Sequence, residues 1–224
     1  FTHFSRADEM EKTSAMTQLG RYLHFTELLK ARGIEIPIKH CSNSAGIIDL
    51  PQANLNCVRA GITMYGMYPS EEVQKDKVPL KPALGLKSFV TYVKELGPGE
   101  EISYGGTYVT ERTMRIATVA VGYGDGYPRS LSNCGYVLIC GKRARILGRV
   151  CMDQLMVDVT DIMEADVDTP VTLIGKDGDE EITMEHLAEL CGGFHYEMVC
   201  DIGKRVPRVY YRGGKVVGTM DCFA

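Results

Sequence analysis

The spacing of apolar residues predicts the first elements of the chain. Between residues 8 and 32, apolar side chains recur at steps of three and four positions, from Met10 to Leu29, and Gly33 follows. This spacing is typical of one amphipathic helix that ends at a glycine. The short apolar runs IEIPIKH and LNCVRAG then flank SNSAGIIDL, whose serines and asparagine favour a helix start. We therefore expect strands and helices to alternate here, as in the parallel units of a doubly wound sheet or a barrel.

The pattern changes after residues 69–82, a polar stretch that contains three prolines. Short β-type runs follow, separated by turn signals such as Gly97-Pro98-Gly99 and Asp177-Gly178. The runs are LKSFVTYVKEL, RIATVAVGY, YVLIC, ARILGRV, LMVDV, PVTLIG and RVPRVYY. One helix, from about Thr183 to Leu190, is predicted among them, with Thr183 as its N-cap. The second part of the chain therefore reads as antiparallel β structure.

Composition and charge exclude several classes of protein. The formal net charge is -4 over 224 residues, and no long run of like charges suggests nucleic acid or a membrane surface as a partner. No apolar run approaches the roughly 18 residues of a membrane span. The eight cysteines include no C-x-x-C pair, so we expect free thiols, no metal and a cytoplasmic location. His40-Cys41 is the one His/Cys neighbour pair, and a buried thiol explains it better than a metal ligand.

The opening FTHFSRADE contains no initiator methionine and runs from a strand-like piece straight into a helix. We therefore expect the natural protein to be longer at its N-terminus.

Two small-residue turns follow the predicted strands of the first part. Residues 42–46, SNSAG, come directly after IPIKH and open a helix, and Gly61-Ile62 come after the next strand. Backbone N–H groups at such turns suit a phosphate, and phosphate-binding loops after consecutive late strands are common in (β/α)8 barrels. Each turn alone is also compatible with ordinary helix capping.

Two residues of the first part have both a functional and a structural interpretation. Arg59 lies in an apolar strand, where an arginine either faces a ligand or reaches solvent at the strand end. His3, in FTHF, is either a site residue or a histidine satisfied in the core.

Three motifs of the second part raise similar alternatives. GRVCMDQ places Met152 and Asp153 at a bend, where backbone N–H groups could face a carboxylate or where Asp153 could make a turn bond. The glycine-rich stretch around Tyr123 lacks the spacing of a nucleotide-binding loop. Tyr104, between a serine and two glycines in EISYGGTYV, is either a functional group or a residue at a strand edge.

Seven motifs, taken in order, resemble bacterial alanine racemase over essentially the whole chain. They are FTHFSRADE, HCSNSAG, VRAGITMYG, SYGGTYVTE, VGYGDGYPR, GRVCMDQ and RVPRVYY. The resemblance implies α/β plus all-β architecture, in which residues 1–78 are the last strands and helices of a pyridoxal-phosphate (β/α)8 barrel. Residues 79–224 would then be a mainly antiparallel β domain that contributes to the partner subunit's active site in a homodimer.

The same resemblance implies a role for individual residues. Ser44, Gly61 and Ile62 look like the loops that bind the phosphate of pyridoxal 5'-phosphate, and Arg59 like the residue that donates to its pyridine nitrogen. Because an arginine does not release its proton, the ring would be a weaker electron sink, which favours proton exchange over decarboxylation.

In the second part, the resemblance makes Tyr104 one of two catalytic bases, with His3 close to it and to Arg59. A second base on the opposite face is needed to invert a stereocentre. Met152, with Asp153 and Tyr123, would bind the substrate, alanine. The expected activity is interconversion of L-alanine and D-alanine, which supplies D-alanine for peptidoglycan.

Two positions depart from the family. No stretch resembles the one that carries the cofactor lysine, and Lys39 precedes the phosphate turn without the surrounding pattern. We therefore expect these 224 residues alone to be inactive. Lys204, in DIGKRVPR, stands where many relatives have a tyrosine that touches the phosphate, and a lysine would act there only as a point charge.

Three other functions remain open on sequence grounds. A barrel-type pyridoxal-phosphate decarboxylase shares the two-domain plan, although Arg59 argues against it. A racemase of serine, including one attached to a membrane segment outside these residues, is compatible with the same motifs. A non-catalytic remnant that only dimerises would explain the missing lysine.

Overall fold

The chain divides into two units, Phe1–Ala83 and Leu84–Ala224. We describe residues 1–223 from a computed structural model. The sequence prediction placed the boundary between residues 78 and 79, in the segment that precedes the first long strand.

The helices of the first unit are short apart from the first one. They are α1 (Thr13–Ala31) and α2 (Ser44–Asp49), with single 3-10 turns at Pro51–Ala53, Ile62–Tyr65 and Lys75–Lys77. The predicted start of α1 at residue 8 was wrong. The ammonium of Lys12 donates to the carbonyls of Ala7 at 2.8 Å and Glu9 at 2.5 Å, which holds the preceding residues in a turn. The predicted end is confirmed, because Gly33 follows in the left-handed region at φ 77°.

The two predicted strands of the first unit were wrong as regular strands. IEIPIKH and LNCVRAG meet in a single parallel bridge, between His40 and Cys57. The Thr2 N–H donates to the His40 carbonyl at 3.3 Å, and the Arg59 N–H donates to the Ser42 carbonyl at 3.0 Å. Apolar sequence alone does not make a strand, because a ladder needs a partner for each N–H and C=O. The predicted parallel direction is nevertheless observed at this bridge.

A small core and one buried ion pair stabilise the first unit. The buried apolar residues of this core cluster are Phe4, Ala7, Ala15, Leu19, Cys41, Ala45, Ile48, Leu50, Ala53 and Val73. Beside them, the Lys12 ammonium lies 2.6 Å from a carboxylate oxygen of Asp49, whose side chain is fully buried. The other oxygen of Asp49 accepts from the Gln74 N–H at 3.1 Å. The pair therefore ties the start of α1 to the end of α2.

Antiparallel strands build the second unit, as the sequence predicted. Its main sheet consists of β1 (Leu86–Leu96), β4 (Met114–Val119), β5 (Tyr136–Ile139), β6 (Lys142–Leu147), β7 (Leu155–Asp158), β8 (Pro170–Asp177) and β9 (Glu180–Ile182). The strand order is β1-β4-β7-β6-β5-β8-β9. The first half of β1 also pairs with β8 and its second half with β4, so the sheet returns upon itself. This closure leaves β9 as an edge strand and encloses an apolar interior.

The interior of this sheet comes from alternating positions of the strands. Val90, Ala117, Val119, Val137, Ala144, Ile146, Leu155, Val157, Val171 and Leu173 are all completely or almost completely buried. Two small hairpins lie outside the main sheet. They are β2 (Glu101–Ile102) with β3 (Tyr108–Val109), and β10 (Arg208–Arg212) with β11 (Lys215–Met220).

The predicted helix of the second unit is confirmed as α3 (Met184–Cys191), and the Thr183 hydroxyl accepts from the His186 N–H at 3.1 Å. A further helix, α4 (His195–Asp201), was missed. It follows two glycines, and Phe194 at its N-cap has no side-chain oxygen to cap it, so the sequence carries no start signal.

Within residues 1–223, none of the helices combines the length and the apolarity that crossing a membrane demands. The same residues contain no cluster of three His, Cys, Asp or Glu side chains able to hold a metal ion. All eight cysteines are free.

Candidate active site

Backbone carbonyls and histidine rings hold the guanidinium of Arg59 in the first unit. Its Nη2 donates to the carbonyls of Thr2 at 3.0 Å and Cys41 at 3.1 Å. The Phe1 ring lies 5.2 Å below the guanidinium carbon. Among residues 1–223, no carboxylate forms an ion pair with Arg59. The half-buried cation is therefore fixed in direction but not neutralised.

Two histidines complete the surroundings of Arg59. Its Nη1 donates to Nδ1 of His40 in a short hydrogen bond, and its Nη2 to Nδ1 of His3 at 3.2 Å. A guanidinium has only donors, so both Nδ1 atoms act as acceptors and each neutral ring carries its proton on Nε2. Burial, followed by the charge of Arg59, lowers the pKa of His40. The interpretation of His3 as a core histidine was wrong, because the residue is exposed.

The Ser44 hydroxyl joins the two predicted turns, residues 42–46 and Gly61-Ile62, through hydrogen bonds. It accepts from the N–H groups of Gly61 at 3.0 Å and Thr63 at 3.3 Å, and it lies 3.1 Å from the Thr63 hydroxyl. Asn43 caps α2 through the Gly46 N–H at 3.0 Å. Ser44, Gly61 and the adjacent Ile62 therefore lie together, although the runs that precede them are not regular strands. A side chain at Gly61 would come no closer than 3.6 Å to Ser44, so the approach to this turn is open.

Tyr104 stands on a strained turn in the second unit. Ser103, just before it, adopts φ 67°, which a non-glycine residue rarely does, and its hydroxyl donates to the Arg149 carbonyl at 2.7 Å. Gly105 follows at φ 75°. Tyr104 is 72% exposed. Tyr104 is therefore largely exposed, on a turn that the Ser103 hydroxyl ties to a neighbouring loop.

A shallow cavity of about 380 Å³ lies beside Tyr104. It is lined by Ser103, Tyr104, Gly105, Cys151, Gln154 and Met156. The cavity joins the tyrosine to the loop that contains Met152, so two of the predicted site regions are neighbours within one unit.

Backbone N–H groups of the glycine-rich stretch donate to backbone carbonyls of the loop that contains Met152. The N–H of Tyr123 donates to the Cys151 carbonyl at 3.0 Å, and the N–H of Gly124 to the Met152 carbonyl at 2.8 Å. A side chain at Gly122 would lie 2.2 Å from the Cys151 carbonyl, so only glycine fits. Within residues 1–223, the Met152 N–H makes no hydrogen bond, and the residue is 51% exposed.

Sequence reasoning missed Arg205. Its Nε lies 2.8 Å from Asp125 and its Nη2 lies 2.5 Å from Asp153, so one guanidinium joins two loops. The two carboxylates raise the pKa of Arg205, with the hydrogen bond to Asp153 as the largest cause. Lys204, beside it, is exposed. The available signal was an arginine directly after Lys204, but nothing in the sequence pairs it with these aspartates.

The structure separates Lys39 from the phosphate turn. Lys39 lines a pocket with residues of α1 and of the following loop, Thr26, Lys30 and Ile36 among them. Neither Ser44 nor Gly61 lines that pocket.

The chain thus combines a first unit that carries a serine and glycine turn with a β unit that carries an exposed tyrosine. Residues 1–69 match the family described as alanine racemase, N-terminal domain, and residues 83–210 match alanine racemase, C-terminal domain. The chain belongs to the alanine racemase family.

The sequences of known relatives align with nearly the whole of this chain. The chain is 47% identical to an alanine racemase of Clostridium perfringens over 97% of its length, and 48% identical to one of Methanococcus maripaludis over 94%. It spans 56% of the length of either relative.

Solved structures give the same result. The alanine racemase of Clostridium difficile in complex with cycloserine has a TM-score of 0.94 and 42% identity, covering 100% of this chain and 59% of that one. The Bacillus anthracis alanine racemase with bound L-Ala-P has a TM-score of 0.92 and 41% identity, covering 98% of this chain and 56% of that one. The chain therefore has the fold of this part of an alanine racemase.

Proposed function

We propose that the protein containing this chain is a pyridoxal-phosphate enzyme that interconverts L-alanine and D-alanine. The observation that carries the proposal is the guanidinium of Arg59, which is held by Thr2, Cys41 and two histidines and has no carboxylate partner among residues 1–223. Such a cation donates a hydrogen bond to a neutral ring nitrogen but does not transfer a proton to it. This suits a racemase, in which electron withdrawal must be limited.

The residues of the first unit fit the cofactor. The Ser44 and Thr63 hydroxyls, with the N–H groups of Gly61 and Thr63 that donate to Ser44, form a turn of hydrogen-bonding groups beside Ile62 that is suited to a phosphate. The Ser42 hydroxyl, two residues before Ser44, is buried and has no hydrogen-bond partner among residues 1–223, which fits a place where a further polar group is bound. When bound, the cofactor would supply the electron sink that makes the α-proton of alanine acidic.

Tyr104 would take or return that proton on one face of the substrate. Its exposed phenol and strained support keep it directed outward, towards a surface its own unit does not provide. We therefore propose that it works in the active site of the partner subunit of a homodimer. The base for the opposite face would be a lysine at a position that none of the matched motifs of this chain contains, so these residues alone would not racemise alanine.

Met152 would bind the carboxylate of the substrate through its backbone N–H. That N–H makes no hydrogen bond within the described residues, while the carbonyl on the same residue is held by Gly124. Tyr123 would line the same place, and Asp153 would act through its neighbour Arg205 rather than by touching the substrate. Lys204 would approach the phosphate as a point charge.

We also propose that the first unit is the C-terminal portion of a (β/α)8 barrel. The segments around Thr2, His40 and Cys57 lie side by side in chain order, with a parallel bridge between the last two. Consecutive barrel strands have this arrangement.

The experiment uses the natural full-length protein loaded with pyridoxal 5'-phosphate. We expect it to racemise L-alanine and to exchange the α-proton with solvent deuterium. Tyr104→Phe removes the phenol proton acceptor, so racemisation should fall at least about 1000-fold. The matched control is Tyr92→Phe, which changes another exposed tyrosine of the same unit and should leave the rate unchanged.

The reaction catalysed by the unmodified full-length protein distinguishes alanine racemase from the alternative activities. Racemisation of serine in preference to alanine would identify the related activity, and carbon dioxide release would identify a decarboxylase. Absence of racemisation in the cofactor-loaded protein would overturn the proposal.

A further inference from the structure

Arg205 links three loops, one of which carries Met152. Its guanidinium contacts Asp125 in the glycine-rich loop at 2.8 Å and Asp153 in the Met152 loop at 2.5 Å. The third loop is its own, which is tied to the first because the Gly203 N–H donates to the Asp125 carbonyl at 3.0 Å. A planar guanidinium can contact two carboxylates at once through different nitrogens in fixed directions, which an ammonium group does not do.

Asp125 and Asp153 connect Arg205 to the backbone of the glycine-rich loop and of the Met152 loop. The second oxygen of Asp125 accepts from the Gly122 N–H at 2.9 Å, which closes the turn whose next two N–H groups hold the carbonyls of Cys151 and Met152. Asp153 is the residue directly after Met152. The peptide group between Cys151 and Met152 is therefore held from one side by the glycine-rich turn and from the other by Arg205.

The packing leaves little space for another arrangement. A side chain at Gly124 would lie 2.9 Å from Nη1 of Arg205 and 3.0 Å from the Met152 carbonyl. The guanidinium therefore lies close to the glycine that binds Met152, and a larger residue there would have to displace the end of the Arg205 side chain.

Charge gives Arg205 a second effect. Asp125 and Asp153 together carry two negative charges, and Arg205 is the residue that forms ion pairs with both. Without it, two uncompensated carboxylates would lie beside an N–H group that has to attract a third. Like charges at this range repel, although solvent screens part of the effect.

We propose that Arg205 is a positioning residue for substrate binding: it fixes the Met152 N–H and neutralises the aspartates beside it, so that the amino-acid carboxylate can bind. The inference rests on the function proposed above. It assigns no contact between Arg205 and the substrate.

The test compares Arg205→Met with Arg143→Met in the full-length, cofactor-loaded protein. Arg143 also forms one exposed ion pair in the second unit, with Glu180 at 2.7 Å, and is a matched control. We expect Arg205→Met to raise KM for L-alanine about tenfold and to change kcat less than about threefold, since ground-state and transition-state binding are lost together. Arg205→Lys, which keeps the charge, should recover part of KM.

Two further measurements separate positioning from general destabilisation. Amide hydrogen exchange at Gly122 and Gly124 should accelerate at least about tenfold in Arg205→Met and stay unchanged in Arg143→Met. Adding Asp153→Asn to Arg205→Met should lower KM again, because one uncompensated charge is removed.

Three results would overturn the inference. They are a KM within twofold of wild type in Arg205→Met, a loss confined to kcat, or a KM that Asp153→Asn does not improve. A wild-type protein that binds the cofactor but racemises no amino acid would instead refute the proposed function, and the role of Arg205 with it. The two failures are therefore distinguished by whether the wild type or only the variant lacks the expected property.

Discussion

The two units place their candidate site residues by different physical means. In the first unit, regular pairing is reduced to one bridge, and Arg59 and Ser44 are fixed by side-chain hydrogen bonds to backbone groups. In the second unit, a closed antiparallel sheet forms the core, and the site residues stand on loops outside it. The site residues of the first unit therefore depend on half-buried polar groups, whereas those of the second unit depend on loops held by a rigid scaffold.

Among substitutions that separate the two units, Arg59→Lys should have the largest effect, a loss of racemisation rate and of cofactor affinity. An ammonium cannot reach the carbonyls of Thr2 and Cys41 and two histidines in the same directions. In the full-length protein we expect racemisation to fall about 100-fold and cofactor affinity to fall about tenfold, measured by rate and by absorbance titration. Arg21→Lys, on the exposed face of α1, is the control. Equal activity in the two variants would show that the fixed guanidinium is not needed.

Removal of the buried ion pair should affect the first unit alone. Lys12→Met leaves the fully buried carboxylate of Asp49 without its cation, and we expect a loss of about 3 kcal/mol in the free energy of unfolding of that unit. Amide exchange resolved by residue measures each unit separately. Lys75→Met, which breaks an exposed pair with Glu71, should cost less than about 0.5 kcal/mol. A loss shared equally by both units would contradict the separation of the two cores.

A cap at α3 should have a smaller effect in the second unit. Thr183→Ala removes the hydroxyl that accepts from the His186 N–H, so we expect a loss of about 1 kcal/mol. Thr183→Ser should restore most of it, since serine caps equally well. Denaturant unfolding followed by exchange at α3 measures the change, and a loss that serine fails to restore would point to packing of the threonine methyl instead.

The smallest effect should be a pH dependence of the first unit. The pKa of His40 is lowered in the folded protein by burial and by Arg59. Above its unfolded pKa, near 6.5, the ring is neutral in both states and its contribution is complete. As pH falls below that value, the unfolded state takes up a proton that the folded state resists, so stability is lost.

The check is amide exchange in the first unit at pH 7.5 and pH 5, corrected for the intrinsic rate. His40→Gln should flatten the difference, and the control His24→Gln, exposed on α1, should not. If the wild type is equally stable at both values, the histidine is not held neutral by the fold.

The sequence could predict the elements whose signals are local. Helix α1, the N-cap at Thr183 and the β runs of the second unit all appear in the structure, because they depend on residues close in the chain. The predicted apolar face of α1 was wrong, since Met16, Leu23 and Leu28 are exposed. Local signals failed for IEIPIKH, whose apolar residues suit a strand that has no ladder here, and for α4, which has no capping residue. Strand pairing is decided by partners, which the run itself does not contain.

For the candidate site, the sequence alone determined which residue types were available and where turns would place them. Ser44, Gly61 and Tyr104 could be named because capping serines and glycines, which allow unusual backbone conformations, mark the turns where they lie. The family resemblance, too, was legible in the order of the motifs.

Only the tertiary structure decided which of these groups meet. It surrounded Arg59 with acceptors from residues 2, 3, 40 and 41, and it joined Arg205 to Asp125 and Asp153, which lie 80 and 52 positions away in the chain. Ion pairs and hydrogen bonds need distances near 3 Å and a defined direction. A sequence lists the groups that can satisfy these conditions, but the path of the folded backbone selects the pairs that do.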